Sequence, residues 1–308
     1  MSQLATARAF AAGLNTSAVV VGTHERVIDA WGDVDQPVLV RSVRKSLLCV
    51  LFGTHVAAGK IRLDATLAEL GIDDEPPLTG EERTATVRDL LMMRSGIYHP
   101  AAAEDPKMLA AKPARGLYAP GSRWCYNNWD ANALATIFER AARVSIFEEF
   151  YERIARPLGM AFTPDQGRLV YEPYSVHPAY PFWLSARDLF LVGQLMLRRG
   201  SWGGQQLLPA EWIEQITGAH SHAPYDDAED WYGYLWWVRS DAFSARGWGG
   251  HYLEVFPSRG VVIVHRVDTQ LGSRTVAENS VSWEDYYRFR QAVLNDLEGV
   301  IPQAPRTA

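Results

Sequence analysis

The apolar positions of the chain follow a strand-like pattern near both ends and a helical period in the middle. Residues 18–21 and 27–31 are β-rich runs around a short polar turn, which predicts an N-terminal hairpin. A helix is predicted from about Ser42, and it is apolar almost all round, as buried helices are. Further strand-like segments lie near the other end, at residues 232–238, 250–256 and 261–267.

The middle of the chain favours helices. Residues 185–198 carry the fullest signature, because Ser185 suits the N-cap, Asp188 the first turn, and Gly200 follows the end. Other helices are predicted at residues 61–70, 86–93, 130–142, 146–155, 209–216 and 283–297, and residues 302–308 are expected to be a loose tail.

Strands at both ends with helices between them predict an α+β fold. One antiparallel sheet would be built from both termini and flanked by helices, with an all-helical subdomain inserted. We expect residues 1–60 and 165–308 to form a discontinuous sheet domain and residues 61–164 the helical subdomain. The active site would then lie between the two.

Composition limits the range of functions. The 308 residues are 47% hydrophobic and 21% charged, with a net charge of −6 and scattered basic residues, so no nucleic-acid partner is expected. Cys49 and Cys125 are expected to be reduced core thiols. The N-terminus lacks a secretory signal and no apolar run could span a bilayer. We therefore expect a cytoplasmic protein without a membrane partner, although a chain whose leader had been removed would look the same.

The first candidate chemistry is a Ser-x-x-Lys at the start of the apolar helix. Ser42 and Lys45 are three residues apart, which places a hydroxyl and an amine on one helix face. A serine needs a neighbouring base to become a nucleophile, and a desolvated lysine can be neutral enough to serve. The alternative is a helix-capping serine beside a solvated lysine, since the motif alone is short enough to occur by chance.

Two further motifs follow in the chain. Tyr126 and Asn128 form a Tyr-x-Asn, and Trp248, Gly249 and Gly250 precede an apolar strand. A second Trp-Gly-Gly at residues 202–204 lies between polar residues and is interpreted as an exposed turn. In this order the three motifs resemble those of serine β-lactamases and penicillin-binding proteins, most closely class C β-lactamases and their esterase and amidase relatives. The resemblance extends over roughly residues 17–297.

The resemblance implies a role for each motif. Ser42 would form an acyl-enzyme, and Lys45 would accept its proton or hold the charge of the site. Tyr126 would relay a proton to the leaving group, as a phenolate if nearby charge stabilised that form. The oxyanion hole would be the backbone N–H groups of Ser42 and His251. Asn128 would bind Lys45 or the substrate amide; its alternative role is to cap the helix at residues 130–142.

The strand motif departs from the β-lactamase pattern. Those enzymes usually carry Lys-Thr-Gly, whose lysine binds the substrate carboxylate, whereas Trp248 offers an indole without charge. Trp-Gly-Gly is similar to family VIII carboxylesterases, and it favours neutral esters or amides over penicillins. Gly249 and Gly250 would let the substrate lie against the strand.

Other residues complete the predicted site. Tyr98 and Trp236 are expected to line the pocket, since strand alternation directs one of Trp236 and Trp237 to the pocket and the other to the core. His220, His222 and Asp226 lack the spacing of a closed metal site, so no metal and no cofactor is expected. The leading hypothesis is a serine hydrolase of a small-molecule ester or amide. An acyltransferase of the same fold, a β-lactamase or D-alanyl peptidase, and a non-catalytic penicillin-binding-like sensor stay open, as does the oligomeric state.

Overall fold

The computed structural model of the protein describes residues 3–272 and 275–300. Its helices are α1 Ala5–Ala11, α2 Val43–Ala57, α3 Val87–Leu91, α4 Pro106–Ala111, α5 Trp129–Ala142, α6 Ile146–Phe150, α7 Arg156–Leu158, α8 Ala186–Leu197, α9 Ala210–Ile216 and α10 Trp283–Asp296, with a π-helical turn at Tyr151–Ala155. Its strands are β1 Ala18–Thr23, β2 Val27–Gly32, β3 Val38–Leu39, β4 Val170–Glu172, β5 Ser175–Ala179, β6 Trp183–Leu184, β7 Ser201–Trp202, β8 Gln205–Gln206, β9 Ser221–His222, β10 Trp231–Tyr232, β11 Trp237–Val238, β12 Phe243–Gly247, β13 His251–Phe256 and β14 Val261–Arg266.

An eight-stranded antiparallel sheet joins the two ends of the chain. Its order is β2-β1-β14-β13-β12-β11-β10-β9, so the N-terminal hairpin pairs directly with the last strand. Val264 of β14 lies opposite Val20 of β1 on one side and opposite Leu253 of β13 on the other. The predicted α+β fold with a sheet from both termini is confirmed. The predicted division into two domains stays a prediction.

Strand alternation divides the buried side chains between the two faces of the sheet. Leu253 and Val255 of β13 belong to the larger core, which also contains the apolar residues of α2, α5 and α8. Tyr252, just before them, and Phe256, just after them, pack with α1 and α10 on the other face. Because successive side chains of a strand point to opposite faces, β13 contributes to a core on each side of the sheet. Helix α2, which begins next to Ser42, is therefore held inside the larger core.

The start of α2 lies against the end of β12. A Cβ on Gly247 would be 2.6 Å from the carbonyl oxygen of Val40 and 3.1 Å from the Cβ of Arg41, so only glycine fits there. Arg41 itself has a φ of +54°, a left-handed conformation that costs energy for a non-glycine residue. The backbone immediately before Ser42 is thus held tightly by the sheet.

Several predicted elements differ from the structure. Residues 61–70 are not helical, because they bond to a distant segment. The Leu67 amide donates to the Ala85 carbonyl, and the Val87 amide donates to the Ala65 carbonyl. Residues 232–238 are not one strand: Leu235, with a φ of +58°, turns the chain between β10 and β11. Strand β12 and helix α4 were not predicted, and the predicted tail at residues 302–308 lies outside the described residues.

Other expectations are confirmed. Cys49 and Cys125 are buried and unpaired. Trp202 ends a strand of a small separate hairpin, with Gly203 and Gly204 in its turn, as expected for the second Trp-Gly-Gly. Among the described residues, no helix is both long enough and apolar enough to cross a bilayer.

Candidate active site

Ser42 stands at the N-terminus of α2 but does not cap it. Its side chain makes no capping hydrogen bond, and its backbone is already near-helical with a φ of −70° and a ψ of −8°. The amides of Val43, Arg44 and Lys45 donate to carbonyls three residues back. Within the described part of the chain, the Ser42 amide has no such acceptor. A free N–H at a helix N-terminus is suited to bind negative charge.

Lys45 points from the first turn of α2 to the Ser42 hydroxyl. Its Nζ is 2.9 Å from Ser42 Oγ and 3.2 Å from the Tyr126 hydroxyl oxygen. The residue is 1% exposed and makes no ion pair with a described carboxylate. Burial, reinforced by the neighbouring Arg44 charge, lowers the pKa of Lys45 well below its usual value, with Asp105 and Glu104 opposing this only in part. A solvated lysine beside a capping serine is therefore not what the structure contains.

Tyr126 lies in the loop before α5, and its hydroxyl is the third group beside Ser42 and Lys45. Its ring is buried and its centroid lies 5.2 Å from that of Tyr225 and 5.3 Å from that of Trp237. Burial raises the pKa of Tyr126, and the hydrogen bond with Ser42 opposes this only partly. The phenol consequently keeps its proton in the free site, so the phenolate considered from the sequence is not favoured.

A cavity of about 340 Å³ opens beside the Ser42 hydroxyl. We call it the Ser42 cavity. Its walls are largely aromatic, with rings from Tyr126, Tyr225, Trp237, Trp248, Tyr252 and Trp283. A volume of this size holds a small organic molecule.

The charged groups around this cavity are mostly paired. Lys107 Nζ lies 2.8 Å from an Asp226 carboxylate oxygen, and Arg246 binds Asp230 at 2.6 Å. Asp105 accepts a hydrogen bond of 2.9 Å from the Met108 amide as the N-cap of α4. The cavity therefore presents aromatic rings and paired cations near Ser42, and the Glu284 carboxylate and the Ser280 and Ser282 side chains complete its lining.

The Trp-Gly-Gly motif forms the turn between β12 and β13, and all three residues line the Ser42 cavity. Trp248 is 43% exposed, and the Arg41 guanidinium stands 5.8 Å from its ring centre. Gly249 and Gly250 have φ values of +94° and +103°, and a Cβ on Gly249 would lie 2.5 Å from a Thr269 methyl group. The turn conformation and this close packing both require glycine.

Three predicted substrate-binding residues do not reach the cavity. Asn128 is 1% exposed; its Nδ2 donates to the Ala102 carbonyl at 3.1 Å, and its Oδ1 has no partner in the described residues. Its side chain does not cap α5, because Asn127 Oδ1 accepts the Asp130 amide. Tyr98 is buried and is not part of the cavity lining.

Trp236 is the third of these corrections. It is fully buried and edge-on to Phe243 at 5.5 Å. Trp237, the next residue, lines the cavity instead, so one tryptophan faces the core and the other the cavity, as strand alternation predicted.

His251 begins β13 next to Gly250. The residue is completely buried, burial lowers its pKa well below the usual value, and neither ring nitrogen has a hydrogen-bond partner in the described residues. Gly250 lines the cavity and His251 does not. The contribution of the His251 amide to an oxyanion hole stays a prediction.

Sequence reasoning missed several groups of the site. Asp105 followed by Pro106 is a helix-start signal that predicts α4, and residues of α4 form one wall of the Ser42 cavity. Arg44 is also buried, bonds Asn132 at 2.9 Å, and lies 4.2 Å from the Tyr180 ring centre. Its position between the two motif residues gave no sign of this burial.

Comparisons with known proteins agree with this geometry. The sequence matches the family described as Beta-lactamase over residues 5–278. A search of curated proteins found no match. Among solved structures, the chain is similar to a protein named as a candidate 6-aminohexanoate-dimer hydrolase from Bacillus anthracis, with a TM-score of 0.72 and 21% identity over 96% of this chain and 83% of that one.

Two other solved structures share the fold. One is a penicillin binding protein from Bacillus halodurans, with a TM-score of 0.67 and 15% identity, covering 96% of this chain and all (100%) of that one. The other is EstCE1, a hydrolase with promiscuous acyltransferase activity, with a TM-score of 0.65 and 18% identity over 96% of this chain and 98% of that one. With the family match over most of its length, the chain belongs to the beta-lactamase family of serine hydrolases.

Proposed function

We propose that this protein hydrolyses a small ester or amide through an acyl-enzyme formed on Ser42. The observation that carries the proposal is the contact between Lys45 Nζ and Ser42 Oγ at 2.9 Å in a buried setting. A neutral amine at that distance can take the hydroxyl proton as the oxygen attacks a carbonyl.

The reaction follows from the positions of these groups. Ser42 Oγ bonds to the substrate carbonyl carbon while its proton passes to Lys45. The negative oxygen of the tetrahedral intermediate is stabilised by the free Ser42 amide and, on our prediction, by the His251 amide. Tyr126 donates its proton to the leaving oxygen or nitrogen as that bond breaks, and Lys45 restores it. Water then releases the acid by the same steps.

The walls of the Ser42 cavity support a substrate with an apolar, uncharged part. Trp248 stands where a lysine would attract a carboxylate, and the cations Lys107 and Arg246 are already bound to carboxylates. Aromatic rings gain free energy by covering apolar surface. Short carboxylic esters therefore suit the cavity better than acidic β-lactams.

A panel of chromogenic substrates tests this proposal. It would contain p-nitrophenyl acetate and butyrate, a chromogenic cephalosporin, and an aminoacyl p-nitroanilide. We expect the esters to be cleaved fastest, with turnover lost in Ser42→Ala. Equal ester turnover in Ser42→Ala would refute the acyl-enzyme, whereas a preference for the cephalosporin would refute only the substrate class.

Acyl transfer is the second candidate. The aromatic walls would hold an organic alcohol in place of water during release of the acyl group, and EstCE1, which shares the fold, has acyltransferase activity. Butanol added to the ester assay separates the two reactions. Butyl ester that forms faster than free acid supports transfer, and free acid alone supports hydrolysis.

A further inference from the structure

A second cavity lies beyond the aromatic wall of the Ser42 cavity. Its volume is about 500 Å³, against about 340 Å³ for the Ser42 cavity. Tyr126 and Tyr225 line both, so these two rings form a partition between them. The chemistry described above makes no use of this second cavity.

The charge of the second cavity is positive. Arg94 and Arg123 line it, and no aspartate or glutamate of the described chain does. Neither guanidinium takes part in an ion pair with a described carboxylate, unlike Lys107 in the Ser42 cavity. Two guanidinium groups without counter-ions favour an anion, and a planar carboxylate fits their paired N–H groups.

A buried carboxylate behind the wall of this cavity does little to oppose an anion. Asp130 lies behind Cys125, which lines the second cavity, and Ser95 donates to it at 2.5 Å. Burial raises the pKa of Asp130 to about 7, so this group carries less than its full charge at neutral pH.

The imidazoles at the rim are already engaged through one nitrogen. His220 Nε2 donates to the Gln215 carbonyl at 2.7 Å, and His222 Nε2 donates to the Ala228 carbonyl at 2.8 Å. They therefore hold the rim in place, and the two arginines supply its fixed positive charge.

The remaining wall is suited to a flat apolar group. Trp124 meets Tyr225 edge-on at 6.3 Å, and Pro113 and Pro224 add apolar surface. Trp124 Nε1 and Arg94 Nε are buried behind this wall without an acceptor in the described residues, so the cavity is met by the rings and by the outer nitrogens of the guanidinium groups.

We propose that the second cavity is a binding site for a small aromatic carboxylate. The carboxylate binds Arg94 and Arg123, and the ring packs against Trp124 and Tyr225. The site is separate from the Ser42 cavity, so both can be occupied at once.

Calorimetric titration of the whole protein with 2-naphthoate tests the site, with 2-naphthalenemethanol as the uncharged counterpart. We expect 2-naphthoate to bind at least tenfold more tightly than the alcohol. Arg123→Gln should weaken naphthoate binding about tenfold, and adding Arg94→Gln should abolish it. Arg259→Gln removes the same charge from an exposed turn away from the cavity and should change nothing.

A second arm separates this site from the Ser42 cavity. Protein whose Ser42 carries a fluorophosphonate adduct should bind naphthoate with unchanged affinity. Loss of binding in that adduct would place the ligand at Ser42 and overturn the proposal. Equal binding of acid and alcohol, or normal binding in Arg123→Gln, would also overturn it. Arg123 is exposed, so its variant should fold even if the double variant does not.

Discussion

Two buried cations of this protein have opposite surroundings. Lys45, on the inner side of the sheet, has no carboxylate in contact, and burial together with Arg44 lowers its pKa. Arg290, on the outer side, binds Glu254 at 3.0 Å and Asp241 at 2.7 Å. Burial lowers the pKa of Arg290 as well, but the two carboxylates together outweigh it and raise the pKa.

The difference separates a structural charge from a chemical one. A cation that keeps its counter-ions in the interior stays charged and holds elements together, as Arg290 does between α10 and β13. A lysine without them tends to lose its proton and becomes a base. Substitutions at Ser42 and Lys45 should therefore remove activity, and substitutions around Arg290 should remove stability.

Ser42→Ala should have the largest effect. Removing the nucleophile should lower ester kcat/KM at least about 10³-fold, because no acyl-enzyme can form. Ser258→Ala, in an exposed turn, is the matched control. Initial rates with p-nitrophenyl butyrate measure the effect, and a Ser42→Ala rate within tenfold of the parent would contradict it.

Lys45→Met should lower kcat by roughly 10²–10⁴-fold, since it removes the base and keeps the length of the side chain. Its unfolding free energy should stay equal or rise, because burying an amine costs free energy that a thioether avoids. Lys45→Arg should be equally inactive, and Lys60→Met is the control. A loss of stability in Lys45→Met would show that Lys45 resembles Arg290 after all.

Glu254→Gln should lower the unfolding free energy by about 1–3 kcal/mol, because it removes one of the two carboxylates that bind the buried Arg290 and leaves only Asp241. The Tyr286 hydroxyl, 2.7 Å from Glu254, loses its charged partner too. Urea denaturation measures the change. Ester kcat of the folded protein should be unchanged, and a selective loss of kcat would break the contrast between the two regions.

Tyr126→Phe should give the smallest of these losses with a p-nitrophenyl ester, because p-nitrophenolate leaves without a proton. With an anilide, whose nitrogen must be protonated, the loss should be about 10²-fold or more. Parallel kcat/KM values for the two substrates test this. Equal losses for both substrates would show that Tyr126 does not donate a proton to the leaving group.

The sequence predicted those parts of the fold that depend on local pattern. Helix α8 has a capping box formed by Ser185 and Asp188, and both residues had indicated its start. Strand β12 escaped prediction because Ser244 and Arg246 look exposed in the sequence. Arg246 is buried, and Asp230, the residue before β10, binds it there. Such a partner is not visible in the local sequence.

The candidate site shows the same division. The spacing of Ser42 and Lys45 on one helix indicated their contact, and motif order brought in Tyr126. Asn128 and Trp236 were misplaced because side-chain direction depends on turns and packing that no motif specifies. Strand alternation predicted that Trp236 and Trp237 would face opposite ways, but it could not say that Trp237 would be the one facing the cavity.

The most direct test of the account is the pH dependence of Ser42 labelling by a fluorophosphonate, followed by intact-mass spectrometry. A lowered pKa means that Lys45 loses its proton at lower pH, so the labelling rate should rise from acid pH and reach a plateau well below pH 10.5, the ordinary value for lysine. A rate that still rose about tenfold per pH unit as far as pH 10.5 would contradict it, because Lys45 would then be an ordinary charged lysine.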